Sequence, residues 1–152
     1  MDWKLAEAER QVRSFEARTR HPRPREQESS VPRKALPRIL VVDDDVQAAD
    51  SLASLLQAAG YGDARVAYTG ASALALAVEF VPTVALVDLE LPDMSGYEVA
   101  RQLSQHPQLH ALRLIALTAD NEHPGRELAR EVGLERYLIK PVGSADLAEL
   151  FI

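Results

Sequence analysis

Asp43, Asp44 and Asp45 stand directly after one apolar run, Asp88 closes a second, and Thr118 and Lys140 close two more. Brought to a single rim, these residues would gather two or three carboxylates, one hydroxyl and one ammonium. Carboxylates crowded so closely repel and raise one another's pKa unless a cation sits among them. A hard divalent ion fits that need: Mg²⁺ takes oxygen ligands, keeps several waters, and is held by one or two carboxylates plus an oxygen of a phosphorylated group. With the ion in place Asp88 stays ionised and is able to attack phosphorus, as carboxylates do when they form acyl phosphates. Phosphoryl transfer asks the protein mainly for positioning and for charge at the equatorial oxygens. Lys140 supplies a compact positive charge for one oxygen, Thr118 a hydrogen-bond donor for another, and the metal neutralises a third.

For these residues to meet, the runs before them must be neighbouring strands. Ile39–Val42, Val84–Val87, Leu114–Leu117 and Tyr137–Ile139 are compact and largely apolar, as central parallel strands buried on both faces are. Ala64, Val66 and Tyr68 alternate with Arg65 and Ala67, the pattern of a strand nearer a sheet edge. Helical stretches lie between. One covers Val46–Ala59, with Ala48, Leu52, Leu55, Leu56 and Ala59 on a face and Gly60 placed to stop it. Another covers Ala71–Phe80. A third begins at Ser95, where Ser95 and Glu98 have capping-box spacing; a fourth ends at Gly133, and a short fifth starts near Ser144. Strand and helix alternate five times. This predicts an α/β fold, a flavodoxin-like, doubly wound five-stranded parallel sheet in the order 2-1-3-4-5, with its functional crevice at the carboxyl ends of the strands.

With 152 residues, 47% of them apolar and 26% charged, the chain suits one globular domain plus a modest extension. We place that domain at residues 38–152, a helix at 1–20 and a Pro-rich linker at 21–37. Leu5, Ala8, Val12 and Phe15 make one stripe on the helix, too short to specify a coiled coil. It could dock on a partner, support a homodimer, or remain a solvated helix. The chain has no Cys, which excludes disulfides, thiolate metal sites and a cysteine nucleophile. No apolar run is long enough to cross a bilayer and no signal core stands at the start, so a cytoplasmic protein without membrane contact is expected. The net charge of −6 is uneven. Residues 1–37 hold nine basic against six acidic residues, whereas residues 38–152 hold eight against seventeen. Such an acidic domain repels a phosphate backbone, so no nucleic-acid binding is expected. His21, His106, His110 and His123 lack metal-ligand spacing and are read as incidental.

The segment from Arg38 onward resembles the response-regulator receiver domain of bacterial two-component signalling. The matching motifs are Ile39-Leu40-Val41-Val42-Asp43-Asp44-Asp45, Val87-Asp88-Leu89-Glu90-Leu91-Pro92-Asp93-Met94-Ser95-Gly96, Ala116-Leu117-Thr118-Ala119 and Lys140-Pro141. Ala48-Ala49-Asp50-Ser51-Leu52 and Gly96-Tyr97-Glu98-Val99-Ala100 look in detail like the receivers of hybrid sensor histidine kinases. The resemblance implies that Asp88 is the phosphoacceptor, served by a phosphohistidine of a histidine kinase or histidine phosphotransfer protein that docks near the first helix. It implies that Asp44 and Asp88 bind Mg²⁺ directly, that Asp43 assists or acts through water, and that the main-chain carbonyl of Glu90 completes the site. It also implies a cis Lys140–Pro141 bond, and a switch in which Tyr137 swings inward as the Thr118 hydroxyl moves toward the phosphoryl group.

Two departures stand out. The residues two after Asp88 and two after Thr118 are Glu90 and Asp120, both acidic, beside the path of the hydrolytic water in this family; we expect them to set the phosphoryl lifetime, in either direction. The last helix has room for only about two turns, shorter than in most receivers, which weakens the case for dimerisation through it. The chain thus reads as a phosphorylatable module without its own output domain, a single-domain regulator or the terminal receiver of a hybrid kinase, and not a multiple-turnover enzyme. Two other classes stay open. A haloacid-dehalogenase-like phosphatase also attacks with an aspartate, but the Thr of its Asp-x-Asp-x-Thr motif is missing here, where Asp43, Asp45 and Gln47 stand. A phosphorylation-independent adaptor would not need so intact an acidic site.

Overall fold

The computed structural model describes residues 35–119 and 126–152. The expected helix over 1–20, nearly all of the linker, Asp120 and His123 lie outside the described residues.

Strands β1 (Arg38–Val42), β2 (Asp63–Ala67), β3 (Val84–Asp88), β4 (Arg113–Thr118) and β5 (Leu134–Ile139) form one sheet. Its order is β2-β1-β3-β4-β5 and every pairing is parallel, as the alternation of elements predicts. Helices α1 (Val46–Ala58), α2 (Gly70–Phe80), α3 (Gly96–Gln105) and α4 (Arg126–Glu131) link successive strands, with a short 3₁₀ turn at Pro107–Leu109, and α5 (Ser144–Leu150) follows β5. Among the described residues no helix is long and apolar enough to cross a membrane.

Side chains alternate across a strand, so each apolar run feeds both faces. Leu40, Val42, Ala85, Val87, Leu114 and Ala116 join Ala73 and Ala77 of α2, Val99 and Leu103 of α3 and Ala129 of α4 in one layer. Ile39, Val41, Leu86, Ile115 and Leu117 join Leu52 and Leu56 of α1 and Leu147 and Leu150 of α5 in the other. Each large side chain buried in this way contributes about 1.5–3 kcal/mol.

The helix ends follow from local chemistry. Asp45 is extended, and its side chain accepts from the Ala48 N–H to start α1. Gly60, at φ 80, follows that helix, as its position in the sequence suggests. Thr69 and Ser72 form a reciprocal capping box at the start of α2, which the sequence pattern did not single out. The capping box expected at Ser95 and Glu98 is only half made. Ser95 accepts from the N–H groups of Tyr97 and Glu98, but the Glu98 carboxylate turns to Arg101 and Gln102 instead, where charge-assisted bonds outcompete a lone backbone N–H.

Two strands depart from expectation. β2 begins and ends one residue earlier than the alternation suggests, and Ala67, expected on the polar side with Arg65, is buried; it pairs with Val42 and packs into the α2 layer. β5 starts three residues before Tyr137 and is an edge strand, with β4 as its neighbour. Ile139 is therefore 43% exposed, and the both-faces-buried reading of that run fails.

Candidate functional site

Backbone hydrogen bonds carry the sheet's ladder one step past the strand ends. Asp43 N–H donates to the Ala67 carbonyl (3.1 Å), Leu89 N–H to the Leu117 carbonyl (3.1 Å) and Lys140 N–H to the Thr118 carbonyl (2.8 Å). Asp43, Asp88, Thr118 and Lys140 are thereby fixed along one rim of the sheet, the crevice side of a doubly wound fold.

Asp43 and Asp88 are only 3% and 6% exposed, the two buried polar side chains among the described residues. They are held in matching ways. Asp43 Oδ1 accepts from the Asp45 N–H (3.0 Å) and Asp88 Oδ1 from the Glu90 N–H (2.9 Å), each an Asx-type turn two residues long. The remaining oxygen of each, Oδ2, lies 2.8 Å from Lys140 Nζ. Lys140 follows β5 directly, and the Lys140–Pro141 bond is cis, the geometry the resemblance implies.

Burial pushes the Asp88 carboxyl above its ordinary 3.8, and the charge of Asp43 adds to the rise; Lys140 and the Glu90 N–H oppose it without prevailing. Burial pulls on Lys140 in the opposite sense, but hydrogen bonds and charges from Asp43 and Asp88 raise its ammonium above 10.5. Asp44 is exposed. One carboxylate oxygen from each of Asp43, Asp44 and Asp88 falls within 4.8 Å of the others. Three carboxylates against one ammonium leave two negative charges to balance, and the donors are all oxygen, so the set suits a hard divalent cation such as Mg²⁺.

The other residues singled out in the sequence divide. Asp45 caps α1 and is spoken for. Thr118 ends β4 opposite Ile139 and is half-buried. Tyr137 is half-buried in β5, its hydroxyl 3.4 Å from that of Tyr97; burial first, then the Tyr97 hydroxyl, push its phenol up to about 12. The Glu90 side chain is exposed. His106 has a structural use after all, since its Nδ1 accepts from the Gln108 N–H at the 3₁₀ turn. Beside Lys140 a cleft of about 420 Å³ opens between α1 and the chain after β5, lined by Ala48, Ser51, Leu52, Leu55, Pro141 and Val142 among others.

Two residues of the matched motif are given no role by the sequence, although both lie near the site. Gly96 lies so close to the end of β3 that a Cβ there would stand 2.1 Å from the Asp88 carbonyl oxygen. Asp93 reaches from the loop after Asp88 to the amino end of α2.

Residues 39–151 match the family model of the response regulator receiver domain. The chain belongs to that family. This receiver is 34% identical over 104 residues to the polar-differentiation response regulator DivK of Brucella ovis, a match covering 68% of this chain and 84% of that one. It is 38% identical over 104 residues to the transcriptional regulatory protein CreB of Escherichia coli, covering 68% of this chain and 44% of CreB, so the match spans less than half of that relative's length. Among solved structures it resembles a CheY-like receiver from Methanospirillum hungatei (TM-score 0.69, 31% identity, 76% of this chain and 90% of that one). It also resembles chemotaxis protein CheY4 of Vibrio cholerae (TM-score 0.71, 27% identity, 76% of this chain and 96% of that one). The receiver is thus a response-regulator module of two-component signalling with a CheY-like fold.

Proposed function

We propose that this receiver accepts a phosphoryl group on the Asp88 carboxylate from a phosphohistidine of a histidine kinase or histidine phosphotransfer protein, and that the transfer changes its conformation. The observation that carries this reading is the convergence of Asp43, Asp88 and Lys140, from three separate strand ends, with Asp44 beside them. Asp44 and Asp88 would ligate Mg²⁺ directly, Asp43 would assist, and the Glu90 main-chain carbonyl would complete the set. The bound ion would supply positive charge to the oxygens of the transferring group.

The residues of the chain do the rest. A carboxylate oxygen of Asp88 forms a bond to phosphorus as the phosphorus–nitrogen bond of the donor breaks and the imidazole leaves with its electron pair. Lys140 Nζ, already hydrogen-bonded to Asp88 Oδ2, shifts its contact to a phosphoryl oxygen, and the Thr118 hydroxyl donates to another. Movement of Thr118 frees space toward which Tyr137 turns. Glu90 and Asp120 set the lifetime of the acyl phosphate through the attacking water. The donor docks beside α1, where the cleft next to Lys140 offers apolar surface contiguous with the site.

Asp45 argues against the phosphatase reading, because the second acid of an Asp-x-Asp pair would face the phosphate, whereas here it caps α1. One labelled group per chain, rather than turnover, is the expected outcome with a small phosphate ester. The test of the switch is an NMR titration with Mg²⁺ and beryllofluoride. We expect large shifts at the backbone of Asp88, Thr118 and Tyr137 in the native chain and none in Asp88→Asn; equal spectra with and without the additive refute the proposal.

A further inference from the structure

The loop between β3 and α3 carries the carbonyl assigned to the cation, and its two ends are closed by short contacts. Gly96 N–H donates to the Leu89 carbonyl (2.9 Å), and Glu90 and Ser95 form an isolated antiparallel bridge. These bonds fix the base of the loop, and the Glu90 N–H is held by Asp88 Oδ1, but the direction of the Glu90 carbonyl is set by the peptide that joins it to Leu91, where the chain leaves that base. That part is held from outside. Asp93 Oδ1 accepts from the Gly70 N–H (2.8 Å) and Oδ2 from the Ala71 N–H (2.9 Å), the first two N–H groups of α2, which have no partner within their own helix. The next residue, Met94, lies over Gly70 so closely that a Cβ at position 70 would fall 2.4 Å from Met94 Cγ. The bare backbone of Gly70 therefore allows the loop to seat against the helix.

We propose that Asp93 is a positioning residue for the metal site: its two bonds fasten the acceptor loop to the amino end of α2 and hold the Glu90 carbonyl, three residues back, where the cation needs it. The proposal rests on the reading of Asp43, Asp44 and Asp88 as a Mg²⁺ site. It treats α2 as part of the frame of that site, although α2 contributes no ligand. Partners of this indirect kind change metal affinity by about 10–100-fold when lost, because a displaced ligand must be re-ordered each time the ion binds.

The test uses the full chain at about 0.15 M ionic strength, where the charge of an exposed side chain is screened beyond roughly 8 Å. Mg²⁺ is titrated while the amide resonances of Asp88 and Glu90 are followed, and thermal midpoints are taken without Mg²⁺. Asp93→Ala should weaken Mg²⁺ binding about tenfold. Asp93→Asn, equally neutral but still able to accept one hydrogen bond, should lose less, so the difference between the two variants separates position from charge. Ala71→Pro, which removes one donor from the helix side at a first-turn position that tolerates proline, should weaken binding in the same direction without altering the loop sequence. If these variants have lower thermal midpoints but bind Mg²⁺ as the native chain does, Asp93 is only a helix cap and the proposal is overturned. A native chain with no saturable response to Mg²⁺ would instead overturn the metal site itself.

Discussion

Replacing Lys140 by Met removes the charge that Asp43 and Asp88 share while keeping most of the side-chain volume. Each 2.8 Å contact corresponds to about 6 kcal/mol of attraction at an effective dielectric near 20, offset by the cost of burying the ammonium and restricting the side chain. Breaking a buried pair from one side costs about 3–5 kcal/mol, since the partner is left charged and unsolvated. Lys140 keeps 27% of its side chain in water, so we place the loss at the lower end, about 3 kcal/mol, or roughly 10 °C in Tm for a domain of this size. The sign of its pH dependence follows from Asp88. Its folded pKa already lies above 3.8 and rises further once Lys140 no longer lowers it. Between 3.8 and that raised value the folded chain binds more protons than the unfolded one, so stability falls as pH rises through the window. The gap between native and variant is therefore widest at neutral pH and closes as pH falls toward 3.8. Mg²⁺ should also narrow it, because the carboxylates of the variant, freed of the competing ammonium, bind the ion more tightly than those of the native chain, and at saturating ion each tenfold gain in affinity adds about 1.4 kcal/mol of stability. Urea denaturation at several pH values, with and without Mg²⁺, reads all three effects. A Lys140→Met chain as stable as the native one at neutral pH without Mg²⁺, or a gap independent of pH, refutes this electrostatic reading.

Gly96→Ala should destabilise by about 3 kcal/mol or more, because the new Cβ meets the main chain of Asp88 and Leu89 and backbone does not yield as a side chain does; a loss under about 1 kcal/mol by urea melts contradicts the close approach. Arg38→Met should cost about 1–2 kcal/mol, since Arg38 Nε donates to the carbonyls of Phe80 and Val81 at the carboxyl end of α2, and an unchanged urea midpoint counts against it. Glu135→Gln should cost only about 0.5 kcal/mol after solvent screening of its pair with Arg113. Its hydrogen bond to Arg113 holds the Glu135 carboxyl below 4.5, so this contribution is present above pH 4.5 and disappears as pH falls through the lowered pKa; a difference that persists in strong acid refutes the assignment.

The sequence discloses the site where strand periodicity controls it. Asp43, Asp88, Thr118 and Lys140 end apolar runs, and parallel strands must deliver their last residues to the same rim. Asp45 shows the limit of that logic: it is the same residue type one position along, yet its backbone lies at φ −77, ψ 100 and its side chain is used to start α1. Asp93 stands in a matched motif, but its role was not legible, for a different reason. Its partners are main-chain N–H groups 23 and 22 residues earlier, and a backbone donor leaves no side-chain pattern to read. At the sheet margin, Ile139 and Ala67 exchanged their expected exposures because burial there depends on which helix covers the edge, a tertiary matter that alternation along one strand does not encode.

The most direct measurement is to incubate the full chain with Mg²⁺ and acetyl phosphate and to locate the label by mass spectrometry of the intact protein and its peptides. We predict one phosphoryl group per chain, on the peptide containing Asp88, dependent on Mg²⁺ and lost in Asp88→Asn. A label of equal extent in Asp88→Asn, or no label in the native chain under conditions that phosphorylate another receiver, would contradict the assignment of Asp88 as acceptor.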